Sequence, residues 1–426
     1  MSTAYCPALV VAAPSSGSGK TTVVAALARS LVNKGLKVRV FKTGPDFIDP
    51  QFLSAASKAP VYQLDLWMCG EQECRRRLYQ AAQEADLILI EGVMGMFDGQ
   101  CSSAGIAAKF DLPVLAVVDA GAMAQTFGAL VHGLATYRDD VDLYGVIANR
   151  VGSQGHAEML KESILGDVEF CGWLPKNSDM TLPERHLGLV QAQELDDLEQ
   201  RLDHAAETLA NSTNFKLPAA KPFNSVEPLP TDSSLAGKTI AVAKDESFAF
   251  IYQANIETLE SLGAKISYFS PIAGDPLPTC DGLYLPGGYP ELHLEVLSGL
   301  SQLHLQIKAH IEAGKPCVAE CGGMLFLGQS LMDIDGNTQP MCGALNIRGQ
   351  MQSQLAALGI VEADIEGKLI RGHTFHYSVA QSEEEVIATS ISQRGKQSDV
   401  VWRYKNCIAS YVHWYFDQEN CIALFS

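Results

Sequence analysis

Residues 13–22 read Ala13-Pro14-Ser15-Ser16-Gly17-Ser18-Gly19-Lys20-Thr21-Thr22 and lead into an amphipathic stretch. Glycines let successive backbone N–H groups curl around a phosphate, and a helix N-terminus adds a favourable dipole. In that chemistry Gly17, Gly19, Lys20, Thr21 and Thr22 bind a nucleotide; Lys20 reaches the β and γ phosphates, and the Thr21 hydroxyl holds Mg²⁺. The G-x-x-x-x-G-K-[ST] pattern has glycine where this chain has Pro14, so the loop is a variant. A plain Gly/Ser turn is the competing reading. Mg²⁺ takes one or two carboxylates besides phosphate oxygens. Asp46 and Asp49 follow one apolar run, and Glu91 and Asp98 end or follow another. Asp46 and Glu91 are the metal candidates with Thr21. Lys42, Asp49 and Asp98 are candidates for the region where substrate meets the transferred phosphoryl group. Acidic residues at strand ends also cap helices, and that alternative stays open for each.

A second chemistry stands near the other end of the chain. Cys317–Glu320 runs into Cys321-Gly322-Gly323-Met324 and then a helical pattern. A thiol on a sharp strand-to-helix turn is presented to substrate, and a helix N-terminus is expected to lower its pKa. His413 lies in the apolar run 410–416 and is the candidate base for covalent catalysis by Cys321. Gly287 and Gly288, in a turn after Gly282–Leu285, and Gly322 offer N–H groups for an oxyanion hole.

Buried strands and helices must carry both groups. Ala8–Ala13, Lys37–Lys42, Leu87–Ile90, Val114–Val118 and Leu143–Ala148 are short runs rich in Val, Ile and Leu. Runs that are apolar throughout predict strands covered on both faces, hence a parallel sheet. Val23, Val24, Leu27, Ala28, Leu31 and Val32 form one helical stripe, which Gly35 ends. The rhythm pauses over 211–237, where prolines sit among Ser, Thr, Asn and Lys and predict a linker. It restarts with strands at Thr239–Ala243, Lys265–Phe269, Gly282–Leu285 and Cys317–Glu320, and helices near 248–262 and 300–313. The expected organisation is two tandem α/β domains, 1–210 and 238–426, joined by 211–237.

Composition narrows the function. Hydrophobic residues are 47% and charged residues 19% of the 426, as expected for a globular protein. The net charge of −18 argues against nucleic-acid and anionic-membrane partners. No stretch approaches the roughly 20 apolar residues of a membrane span. The 11 cysteines are sparse, odd in number and never spaced C-x-x-C, which predicts free thiols and a cytoplasmic setting.

The combined motifs resemble the cobyrinic acid a,c-diamide synthases of cobalamin biosynthesis over essentially the whole chain. Gly44-Pro45-Asp46-Phe47-Ile48-Asp49-Pro50 and the segment 91–99 are similar to the dethiobiotin-synthetase-like branch of P-loop proteins. The turn 285–291, Ala319-Glu320-Cys321-Gly322-Gly323, the segment 371–378 and Ser410-Tyr411-Val412-His413 resemble class I glutamine amidotransferases of the cobyric/cobyrinic type. The resemblance implies ATP, glutamine and a tetrapyrrole polycarboxylate as substrates, Mg²⁺ as cofactor, acyl-phosphate activation, and Cys321 and His413 as the glutaminase pair. It also implies that Asn149 contacts adenine. Many class I amidotransferases carry Glu two residues after the catalytic His; Tyr415 stands there, so a Cys–His dyad is expected. A homodimer is allowed by this reading. The same chemistry on hydrogenobyrinic acid, sirohaem or nickel-sirohydrochlorin is the neighbouring alternative. A P-loop ATPase switch with an inactive amidotransferase domain is the non-enzymatic one.

Overall fold

The structure, a computed structural model, describes residues 2–177, 180, 191–227 and 232–425. It divides into two units, Met1–Pro228 and Leu229–Ser426.

In the first unit the strands are β1 (Thr3–Ala12), β2 (Val38–Thr43), β3 (Tyr62–Leu64), β4 (Leu87–Glu91), β5 (Val114–Asp119), β6 (Leu143–Val151), β7 (Glu169–Pro175) and β8 (Ala220–Asn224). The helices are α1 (Lys20–Asn33), α2 (Asp49–Ser57), α3 (Glu71–Ala82), α4 (Ser103–Phe110), α5 (Thr126–Thr136), α6 (Gln154–Glu162) and α7 (Leu198–Ser212). The sheet order is β3-β2-β4-β1-β5-β6-β7, parallel throughout that path. Strands covered on both faces explain the apolar runs: every residue of β4 is buried. With β1 central and β4 and β5 on its two sides, the phosphate loop opens at the carboxyl edge, where ligands of such sheets collect.

The linker reading fails in part. Residues 211–237 include the end of α7 and all of β8, which pairs antiparallel with Thr3–Pro7 and sends Phe223 into the core. Proline is tolerated because β8 bonds to β1 on one side only, and a strand edge needs no N–H from Pro222. Pro228 and Pro230 lie outside the described residues.

In the second unit β9 (Thr239–Ala243), β10 (Lys265–Phe269), β11 (Gly282–Leu285) and β12 (Cys317–Glu320) match the expected strands. The helices are α8 (Gln253–Ser261), α9 (Leu294–Ser298), α10 (Ser301–Glu312), α11 (Gly322–Leu327) and α12 (Gln418–Phe425). The strands from β13 onward are β13 (Ser330–Met332), β14 (Thr338–Pro340), β15 (Ile347–Met351), β16 (Ala357–Ile365), β17 (Lys368–His376), β18 (Ser378–Ser382), β19 (Glu385–Ser392), β20 (Gln397–Tyr404), β21 (Cys407–Ser410) and β22 (His413–Trp414). One sheet runs β10-β9-β11-β12-β21-β20-β19-β16-β17-β22, and a smaller one runs β14-β13-β15-β18. The part from β10 to β21 is parallel and the rest of the large sheet antiparallel. Alternate residues feed two cores. Ala241, Leu283, Cys317 and Ala409 face one, while Val242, Tyr284, Val318 and Ile408 face the other.

Candidate active sites

The phosphate loop leaves β1 and enters α1 at Lys20, with Gly19 at a left-handed φ of 86°. Asn149, on β6, donates from Nδ2 to Ser18 O at 3.0 Å. A Cβ on Gly19 would stand 2.1 Å from that nitrogen, so the loop needs glycine there to lie against Asn149. Lys20 is buried and folded back over the loop, donating to Met94 O at 2.8 Å and Ser15 O at 3.3 Å. Burial, then the neighbouring Lys42, push its pKa down. Gly19, Thr22, Asn149, Arg150, Pro175 and Met180 line an adjoining cavity of about 320 Å³. Asn149 and Thr22 thus share a cavity that adjoins the phosphate loop.

The expected carboxylates converge, around an ammonium. Lys42 lies directly beside Glu91 in the β2–β4 register. Its Nζ is 2.6 Å from Asp49 Oδ2, 3.0 Å from Glu91 Oε1 and 3.8 Å from Asp46 Oδ2. Burial alone would lower its pKa; the three carboxylates hold it above the ordinary lysine value. Among the described residues no group of three or more His, Cys, Asp or Glu side chains forms a metal cage. Asp46 departs from the metal reading. Its Oδ1 accepts from Ile48 N at 2.8 Å and Asp49 N at 3.1 Å, so it closes the turn into α2, the cap alternative. Burial and the Asp49 charge push its carboxyl up to about 7. Asp98 also braces backbone, accepting from Gly95 N at 3.0 Å.

Thr21 and Glu91 fit a hard cation better. Thr21 Oγ1 donates to Glu91 Oε1 at 2.7 Å, and Glu91 Oε2 is buried with no hydrogen-bond partner among the described residues. Asp49 also reaches the Thr21 hydroxyl. A hydroxyl beside an unsatisfied carboxylate oxygen at a phosphate loop is a donor set that would suit Mg²⁺.

In the second unit β12 delivers Cys321 onto a turn with φ 44° and ψ −107°. Cys321 N–H donates to Ser410 O at 2.7 Å, which fixes the turn to β21. A Cβ on Gly322 would come within 3.0 Å of Gly288 O, and one on Gly287 within 2.2 Å of His413 Cε1. The 287–288 turn thus lies against both the cysteine turn and the histidine ring, bringing together the residues expected from the sequence. His413 stacks on His373 with centroids 4.9 Å apart, and His373 Nδ1 meets Tyr252 Oη at 2.8 Å.

The thiol departs from expectation. Burial, reinforced by the Glu291 carboxylate, pushes the Cys321 pKa up, against the lowering effect of the Gly322 N–H. The six-residue α11 is too short, and the turn too dry, for its dipole to dominate. Burial, then His373 and His376, push His413 well below the ordinary value. Both shifts favour the uncharged forms, thiol and imidazole. Sequence reasoning passed over Glu320, a carboxyl buried at 1% exposure beside the nucleophile; its only sequence signal is its place before Cys321.

A phosphate-loop unit followed by a cysteine-elbow unit defines an ATP-using, glutamine-dependent amidotransferase. Residues 9–190 match the CobQ/CobB/MinD/ParA nucleotide binding domain, and 239–421 the CobB/CobQ-like glutamine amidotransferase domain. A hydrogenobyrinate a,c-diamide synthase of Pseudomonas aeruginosa is 51% identical, covering 97% of this chain and 96% of that one. The enzyme of the same name from Stutzerimonas stutzeri is also 51% identical, covering 99% of each. A cobyrinate a,c-diamide synthase of Herminiimonas arsenicoxydans is 44% identical over 96% of this chain and 93% of its own. The chain belongs to the cobyrinate/hydrogenobyrinate a,c-diamide synthase family of glutamine-hydrolysing ligases.

Proposed function

We propose that this protein amidates the a and c acetate carboxylates of cobyrinate or hydrogenobyrinate, using ATP and glutamine, in cobalamin biosynthesis. The carrying observation is identity of 51% over nearly the full length of two relatives. A substrate carboxylate oxygen attacks the γ-phosphorus, and ADP leaves. Lys20 swings from its backbone carbonyls onto the phosphates, where a fixed cation stabilises the transferring group. Thr21 and Glu91, with Asp49 close by, would hold Mg²⁺, which when bound would supply neutralisation of phosphate charge. Ammonia then attacks the acyl carbon, and inorganic phosphate departs.

Cys321 supplies that ammonia. Its sulfur attacks the glutamine carboxamide as His413 takes the thiol proton; the same proton leaves with the amide nitrogen, and water later frees glutamate. Gly287, Gly288 and Gly322 N–H groups face the developing oxyanion. Asn149 and Thr22 flank the adenine side of the nucleotide. The free cysteines support a cytoplasmic setting.

Both relatives at 51% identity carry the hydrogenobyrinate name, which favours that ring. The test incubates the full chain with each ring, ATP, Mg²⁺ and glutamine and reads amide formation by mass. Two amides on either ring are expected, with higher kcat/KM for hydrogenobyrinate. No amide on either ring, from protein that hydrolyses glutamine, overturns the substrate assignment.

A further inference from the structure

The glutaminase pair occupies a site without the Glu that many class I amidotransferases place after the histidine. Tyr415 is buried at that position, its ring 5.5 Å from that of Tyr252. A carboxyl nevertheless reaches His413 from another strand. Glu320 ends β12, and its Oε2 lies 3.9 Å from His413 Nδ1, both side chains 1% exposed. Its Oε1 accepts from Trp414 N–H at 3.1 Å, and its Oε2 accepts from Tyr284 Oη at 2.9 Å. The same carboxyl therefore holds the backbone next to the catalytic ring and faces the ring itself. Another carboxylate nearby, the half-buried Asp399, is held by Thr374 Oγ1 at 2.6 Å and His376 Nε2 at 3.1 Å.

A carboxyl buried in an apolar core costs stability unless something there uses it. Here it sits among Tyr284, Val318, Trp414 and Phe416, all in one core. We infer that Glu320 is the positioning residue of the glutaminase: it holds His413 as the Nδ1–H tautomer, leaving Nε2 to take the Cys321 proton. This rests on the proposed roles of Cys321 and His413. As the S–C bond to glutamine forms, the thiol proton moves to Nε2, and Nδ1–H turns toward Glu320 Oε2. The proton on Nε2 then passes to the departing nitrogen. Catalytic hydrogen bonds are often long in a free enzyme and tighten in the substrate complex, and the proposed Nδ1–H···Oε2 contact is of that kind. Because Glu320 precedes Cys321 in the chain, one short segment fixes both the nucleophile and the orienter of its base. A third member supplied by strand register thus replaces one supplied two residues along the chain.

Burial pushes the Glu320 carboxyl up to about 8, so the comparison is made at about pH 9, where it is ionised. The titratable groups around it are Tyr284, Cys321 and His413, with His373 stacked beyond the last. Glu320→Gln is expected to lower kcat for glutamine hydrolysis roughly tenfold or more, with the KM for glutamine nearly unchanged. Ammonia-dependent synthesis should persist. The loss should shrink toward about pH 7, where the wild-type carboxyl is largely protonated and resembles the amide. A folded Glu320→Gln with wild-type kcat at about pH 9 overturns the inference. Nitrogen NMR of His413 in the unsubstituted protein tests it without a variant: the Nδ1–H tautomer is expected, and the Nε2–H tautomer overturns it. Cys321→Ala separates the two levels. Glutaminase surviving in Cys321→Ala removes the underlying reading, whereas its loss there beside an unaffected Glu320→Gln removes only the role of Glu320.

Discussion

The two sites handle charge in opposite ways. Around the phosphate loop, Lys20, Lys42, Asp46, Asp49 and Glu91 are gathered at the carboxyl edge of one sheet, with Lys42 held charged by three carboxylates. Around Cys321, burial drives the groups toward neutrality: the thiol up, the Glu320 carboxyl up to about 8, His373 down to about 3. Moving phosphoryl groups calls for fixed charges that meet a polyanion. Moving one proton from sulfur to nitrogen calls for a dry place where neither partner is ionised beforehand. The same operation, burial of titratable groups, serves both: three carboxylates keep Lys42 charged in one case, whereas desolvation outweighs the other influences on Cys321 and His413 in the other.

The sharpest break between the regions is Cys321→Ala. Glutamine-dependent synthesis should fall by at least about a thousandfold, as for loss of a covalent nucleophile, with ammonia-dependent synthesis retained. Equal loss with both donors in folded protein would contradict separate sites. Lys20→Ala should act on the other side. Synthesis with either donor should drop roughly a hundredfold or more, because activation precedes amination. A near-normal ammonia-dependent rate would remove the phosphate-loop role.

Glu91→Gln and Asp46→Asn divide the carboxylate group. Glu91→Gln should raise the Mg²⁺ concentration needed for half-maximal synthesis, since it alters the oxygens beside Thr21. Asp46→Asn should leave that requirement close to wild type and cost about 0.5–2 kcal/mol of stability through the turn it caps. Mg²⁺ titrations and thermal melts on both variants decide, and the reverse pattern would restore Asp46 to the metal.

The last test concerns acid and touches neither reaction directly. His373 titrates at about 3 when folded against an ordinary 6.5, so its stabilising contribution is full above pH 6.5 and is lost as pH falls toward 3. Unfolding of the wild type against His373→Gln over that window should show the variant losing less, by about 1.4 kcal/mol per pH unit. Parallel curves would show that His373 carries a proton in the folded protein.

The elements that could be read from the chain were those whose signal is local. β4, β11 and β12 are buried along their whole length, so consecutive residues announce them. The strands between 330 and 404 gave no such run. In β16 and β17, buried and exposed residues are mixed, because one face meets water and the pairing is between distant segments. β8 hid behind its prolines until β1 gave it an edge to pair with.

The sequence by itself determined the chemistry within reach of one turn: glycines and Lys20 after a buried strand, and Cys321 on an elbow. Those arrangements depend on neighbouring residues and on backbone φ, which residue types dictate directly. Tertiary structure decided everything that crosses strands. It set Lys42 beside Glu91, turned Asp46 to its own backbone, laid Gly287 against His413 and brought Glu320 to the histidine. It also reversed the expected thiol shift, since a helix terminus is visible in sequence but the desolvation that outweighs it exists only once the core has closed.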